Sequence, residues 1–173
     1  GPWISGNRST EHKYLSALVA AAEMLLKGCT AAYDLYVEIP VPTVEGLTAV
    51  GSAYRDAGMR AVVAPMLADR SFFEAIPDLV DAMPAGLKEK TAKIKMAPLS
   101  ESMATARNLL TQWSLDREWV RPAIAPTIPL HCSDEYLLAS QQLAAEFDVG
   151  LHTHLAESKI QALAAIKRYG NTL

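Results

Sequence analysis

The sequence predicts an α/β fold built on a parallel sheet. Three observations lead there. Amphipathic stretches at helical spacing alternate with short apolar runs rich in Val, Ala and Leu. Gly and Asp residues punctuate the junctions between them. The chain has 173 residues, half of them apolar, which is enough to bury one core. Strands alternating with helices imply crossover connections, and crossovers join parallel strands.

The elements follow in order. Residues 11–27 read as the first helix, because Leu15, Leu18, Val19, Ala22 and Leu25 share a helical face. Thr10 is placed to cap its start and Gly28 to end it. Residues 29–36 follow as a buried strand. Thr43 is placed to cap a helix over residues 44–57, which Gly58 terminates. Residues 59–67 form the second strand. Ser71-Phe72-Phe73-Glu74 fits a capping box and predicts a helix running to Met83. Residues 84–98 read as a Pro- and Lys-containing insertion with a helical turn near residues 87–96.

Residues 100–113 form the next helix and residues 120–126 the third strand. Ser133 caps a helix to Phe147, with Asp134 and Glu135 in the first turn, where the helix dipole favours them. Residues 149–155 are the last strand and residues 158–169 the last helix. The total is about four βα units. An open doubly wound sheet and part of a TIM barrel fit that count equally well. No GxGxxG follows the first strand and no Walker motif is present, which argues against nucleotide-binding versions.

Charge narrows the function classes. Sixteen basic and nineteen acidic residues are interspersed, for a net charge of −3. That leaves no basic patch for nucleic acid. The longest apolar stretch, residues 15–26, is interrupted by Glu23 and is too short to span a bilayer. No segment reads as a signal peptide. Two cysteines, Cys29 and Cys132, form no CxxC pair and are expected reduced in a cytoplasmic protein. His12 is expected on the surface or at an interface. Trp3, Trp113 and Trp119 read as packing residues, and Trp3 lies in a segment able to reach a pocket.

The chemistry concentrates in His152-Thr153-His154-Leu155-Ala156-Glu157. Two histidines two apart on a strand point to the same face. Glu157 lies just past the strand end. C-terminal strand ends form the ligand site in parallel α/β folds. An imidazole there suits a divalent metal, and a nearby carboxylate suits proton transfer to or from an activated water. The same spacing also occurs in buried histidines that satisfy their ring nitrogens by hydrogen bonds. Residues 127–131, from Thr127 to His131, sit where a barrel places substrate contacts, but on the residues alone they read better as a plain βα loop stiffened by Pro129. Asp34, near the end of the first strand, fits a capping or loop-stabilising role.

Several segments together resemble the amidohydrolase superfamily, in its cytosine deaminase, adenosylhomocysteine deaminase and triazine hydrolase branch. The run from Ala21 to Asp34 resembles that branch's second barrel strand and the helix before it. The run from Tyr54 to Ala61 resembles the approach to the third strand. Ala125-Pro126 through Glu135 resembles the end of the fourth, and Leu151 through Glu157 resembles the fifth.

The resemblance implies part of a (β/α)8 TIM barrel, strands two to five, with residues 1–173 forming one partial barrel domain. It implies that His154 is the fifth-strand metal ligand and Glu157 the proton-carrying glutamate. Thr127 falls where many relatives carry a substrate-contacting histidine, and this sequence has His131 four residues later. His152 has no required role in the family pattern; because it faces the same way as His154, it stands as a supporting candidate on the substrate side. The fourth strand ends without a lysine, which implies a single metal ion, zinc or iron(II).

Other ligands of the family pattern, the first-strand His-x-His pair, the sixth-strand histidine and the eighth-strand aspartate, have no counterpart here. The chain therefore reads as a fragment of a longer hydrolase, inactive alone. In the full-length protein a metal-activated water would deaminate or otherwise hydrolyse a heterocycle, with a small-molecule substrate and no nucleic-acid or membrane partner. The alternative is a catalytically inactive half-barrel module that self-associates through open sheet edges, and a homo-oligomer is expected on either reading.

Overall fold

The computed structural model of the chain describes residues 8–173. Trp3 lies outside the described residues. The fold opens with α1 (Thr10–Leu26), β1 (Ala31–Tyr36), α2 (Val44–Ala57) and β2 (Arg60–Leu67). Three short helices follow: α3 (Phe72–Ala75), α4 (Leu79–Ala82) and α5 (Ala85–Thr91). Then come α6 (Leu99–Thr111), β3 (Val120–Pro126), a 3-10 turn (Pro129–His131), α7 (Asp134–Glu146), β4 (Gly150–Leu151) and α8 (Lys159–Tyr169). The strands form one parallel sheet in the order β1-β2-β3-β4. Chain order and spatial order coincide, which is the strand order of a barrel and not of a doubly wound sheet, where the order reverses at a switch point.

The two faces of the sheet differ in kind. Val63, Leu67, Val120 and Ile124 point toward the helical layer and join Leu47, Val50, Ala53, Leu109, Tyr136 and Leu143 in the main core. The opposite face carries Ala64, Ala123 and Ala125, with Leu35 and Val62 packed against them. Successive strand residues alternate faces, so Tyr33 lies with Leu35 on this alanine-rich side. Gly150 pairs with Ala123, which puts His152 and His154 on the same side. The three alanines are fully buried, and the two imidazoles follow on the same side of the sheet.

Several helix starts follow local capping chemistry. Thr43 accepts from the Gly46 amide, Ser133 from Tyr136 and Ser158 from Gln161. Gly58 ends α2 in the left-handed region at φ 72°, where a Cβ would be strained. The cap of α1 is Ser9 rather than Thr10: its hydroxyl accepts from the His12 amide, and Thr10 is already helical.

Other expectations are corrected. The helix expected from Ser71 to Met83 breaks into α3 and α4. Ile76 is extended (φ −92°, ψ 115°) because the ring of Pro77 disfavours helical geometry in the residue before it. The capping box itself is present, with Ser71 and Glu74 bonded reciprocally. The helical turn in the insertion spans α5 rather than residues 87–96, since Pro84 opens it and needs no amide partner there.

The last strand, expected over residues 149–155, pairs regularly only at Gly150–Leu151. Beyond it the His152 amide donates to Ile124 O at 2.8 Å and the His154 amide to Thr127 O at 2.9 Å. Two residues on one strand thus span three on the other, a slip of one position that ends the regular ladder. Trp113 packs on the core and donates its indole N–H to Val120 O. Trp119 is instead 46% exposed, under the guanidinium of Arg60. Asp34 caps no helix: its carboxylate accepts from the Tyr54 hydroxyl at 2.9 Å, tying β1 to α2, and burial pushes its carboxyl up despite that bond.

Candidate functional site

The predicted site residues gather at the C-terminal end of β3 and just past β4, in two neighbouring groups. The first is organised by the Thr127 carbonyl. Thr127 is buried, and its oxygen accepts from the His154 amide at 2.9 Å and lies 3.0 Å from Nδ1 of the His154 ring. The Thr153 hydroxyl reaches the same oxygen at 3.4 Å. A carbonyl oxygen only accepts, so Nδ1 of His154 carries a proton, and in the neutral imidazole Nε2 carries the lone pair. Backbone anchorage of one ring nitrogen is the arrangement that readies the other for a metal.

His152 stands beside it. Its ring meets that of His154 edge-on, with centroids 5.2 Å apart. On its other side it stacks on Tyr33 at 4.5 Å. The two histidines do share a face, as the two-residue spacing requires. Burial, and then the neighbouring His154, push the His152 imidazole below its ordinary value. Tyr33 was not singled out by the sequence. Its only signal was its alternation with Leu35 along β1.

The second group lines a cleft of about 330 Å³ bounded by Phe72, Ile128, His131, Glu157, Ile160 and Gln161 among others. His131 ends the 3-10 turn, and its carbonyl accepts from the amides of Asp69 and Arg70, which fastens the loop after β2 to the loop after β3. Its ring meets Phe72 edge-on at 6.0 Å. Burial pushes the His131 imidazole down, while the charge of Glu157 pulls the other way. Those two residues, 26 positions apart in sequence, therefore face one another electrostatically. Glu157 follows Ala156, which is in the left-handed region at φ 49° and turns the chain into α8.

Of the five predicted residues, the fold brings Thr127, His152 and His154 together in one group and His131 and Glu157 in the other. Among the described residues, no group of three or more His, Cys, Asp and Glu side chains is placed to hold a metal ion. One ring nitrogen, Nε2 of His154, suits such an ion in chemistry and in tautomer.

A family model described as the amidohydrolase family matches residues 6–173. The chain belongs to this family. Among curated relatives, the 8-oxoguanine deaminase of Pseudomonas aeruginosa is 28% identical, over 98% of this chain and 36% of that protein. A 5-methylthioadenosine/S-adenosylhomocysteine deaminase of Syntrophus aciditrophicus is 34% identical, over 91% of this chain and 29% of its own length. The chain thus spans about a third of the length of the curated relatives it matches.

Solved amidohydrolase structures share the fold. The atrazine chlorohydrolase of Arthrobacter aurescens, complexed with zinc, superposes with a TM-score of 0.73 at 24% identity, covering 98% of this chain and 35% of that one. An adenosine deaminase of Xanthomonas campestris with bound zinc gives 0.67 at 22% identity, covering 95% and 31%. The parallel sheet and its helical layer are accordingly part of a TIM barrel.

Proposed function

We propose that residues 1–173 form a partial barrel domain, strands two to five, of a metal-dependent hydrolase that acts on C–N bonds of a heterocycle, most simply by hydrolytic deamination. The observation that carries this reading is the fixed tautomer of His154. Its Nδ1 is tied to Thr127 O, which leaves Nε2 free at the strand end, and Glu157 follows three residues later in a cleft shared with His131. The deaminases among the relatives support the reaction class.

In this reading His154 is a ligand of one divalent ion, zinc or iron(II). Such an ion, when bound, supplies the acidification of water that hydrolysis at neutral pH needs. Glu157 takes up a proton and returns it to the leaving nitrogen. Thr127, His131 and His152 line the substrate side. His131, whose imidazole is pushed down by burial, is suited to donate or accept a hydrogen bond at a heterocycle edge. A cytoplasmic setting without nucleic-acid or membrane partners fits the net charge of −3. No helix among the described residues is long and apolar enough to cross a membrane.

The test is made in the whole protein. Glu157→Gln should lower kcat by at least about 10²-fold against a heterocyclic amine substrate, and His154→Ala should abolish stoichiometric zinc or iron in the purified protein. Full turnover by Glu157→Gln would remove Glu157 from the mechanism.

The exposed apolar residues Leu155, Ile160 and Leu163 favour a second reading, in which the isolated chain is an inactive, self-associating half-barrel. Strict monomer behaviour at all concentrations would exclude it.

A further inference from the structure

Glu157 is exposed, yet its carboxylate is not left to wander. Gln161 lies one helical turn further on and is only 7% exposed. Its Oε1 accepts from the Glu157 backbone amide at 2.8 Å, and its Nε2 donates to Oε2 of Glu157 at 3.1 Å. The Gln161 amide N–H is itself held by the Ser158 cap. This double contact fixes which way the side-chain amide points. A flipped amide would set an NH₂ against the Glu157 N–H and an oxygen against its carboxylate, and both contacts would be repulsive. Nε2 is a donor with no acceptor capacity, so the Oε2 atom facing it is committed to accepting.

We infer that Gln161 is a positioning residue for Glu157. It pins Oε2 and leaves Oε1 as the oxygen that takes up and releases the proton at the cleft shared with His131. The inference rests on the reading of Glu157 as proton carrier. It adds that the carboxylate works as an oriented group with two unequal oxygens, and it names the residue that makes them unequal.

Two substitutions separate this role from simple support of the loop. Gln161→Met keeps the volume and apolar contacts and removes both hydrogen bonds. Gln161→Glu keeps an acceptor for the Glu157 amide, so the backbone anchor survives, but it faces Oε2 with a carboxylate in place of a donor. In the 173-residue chain, amide hydrogen exchange at Glu157 should be slow in the wild type and in Gln161→Glu and fast in Gln161→Met, with protection elsewhere unchanged. In the whole protein both variants should lower kcat by about 10-fold to 100-fold with KM little changed, the loss expected when a reacting group is misplaced by about an ångström.

Full kcat in Gln161→Glu, with its backbone anchor intact, overturns the positioning role, and so does full kcat in Gln161→Met. Fast exchange at Glu157 in the wild-type chain overturns the geometry. Full turnover in Glu157→Gln instead overturns the proton-carrier reading while leaving the clamp itself measurable by exchange, so the two failures are told apart.

Discussion

Glu38 shows how much one buried charge can organise. It lies just past β1, 8% exposed, and accepts from the Lys13 ammonium, the Tyr36 hydroxyl, and both the amide and hydroxyl of Thr43. Burial disfavours its charged form, but these donors together hold the carboxyl below the usual carboxylate range. Lys13 is nine-tenths buried in the same pair. Removing one partner leaves the other charge buried without compensation, which costs more than the pair itself contributes. Glu38→Ala should therefore destabilise the chain by about 3 kcal/mol, read from urea midpoints. The double variant Lys13→Met with Glu38→Leu should recover most of that loss. A double variant no more stable than Glu38→Ala would show that the hydrogen bonds to Tyr36 and Thr43 matter more than the charge pair.

At the scale of elements, the His131 carbonyl ties the loop after β2 to the loop after β3, and two histidines in this region bear on how stability depends on pH. His131 ends the 3-10 turn and His152 lies on the extension of β4. Burial pushes both imidazoles down. The folded chain therefore holds fewer protons on them than the unfolded chain does just below the ordinary histidine value of about 6.5. Stability then rises with pH in that window and is lost as pH falls through it. Glu38 acts in the same direction further down, in the carboxylate range, whereas Asp34, whose carboxyl is raised by burial, opposes it there. The urea midpoint should fall between pH 7.5 and pH 5.5, and His131→Gln should flatten that slope. A midpoint that rises on acidification would show that other groups dominate.

For the molecule as a whole, the consequence of a partial barrel is exposure. Among the described residues, β1 and β4 are paired on one side only. The outer face of α1 shows Leu15, Val19 and Leu26, the last 90% exposed, and α8 shows Ile160, Leu163 and Ile166. Unpaired sheet edges and contiguous apolar faces promote association. The isolated chain should sediment as concentration-dependent oligomers, and Val19→Lys combined with Leu163→Lys should shift it toward monomer. Equal sedimentation of the two proteins would place the association at the sheet edges instead.

Much of this was readable in the sequence. Amphipathic spacing located α1, α2, α6 and α7. Apolar runs located β1 to β3, with Gly28 and Gly58 marking the approaches to the first two, and the His-x-His spacing put His152 and His154 on one face. These are local properties, fixed by the 3.6 and 2.0 periodicities and by capping chemistry within a few residues. Proline showed the limit of that reasoning, because the capping box at Ser71 promised a longer helix than the bend at Ile76-Pro77 allows.

What only the tertiary structure decided involves partners far apart in the chain. The proton on Nδ1 of His154 is set by a carbonyl 27 residues away, the stack on His152 comes from Tyr33 on β1, and Glu157 meets His131 across a cleft. Their rings and carboxylates carry no sequence periodicity that links them. The physical reason is that hydrogen bonds and stacking act over a few ångströms of space, whereas pattern in the sequence reports only the path of the chain.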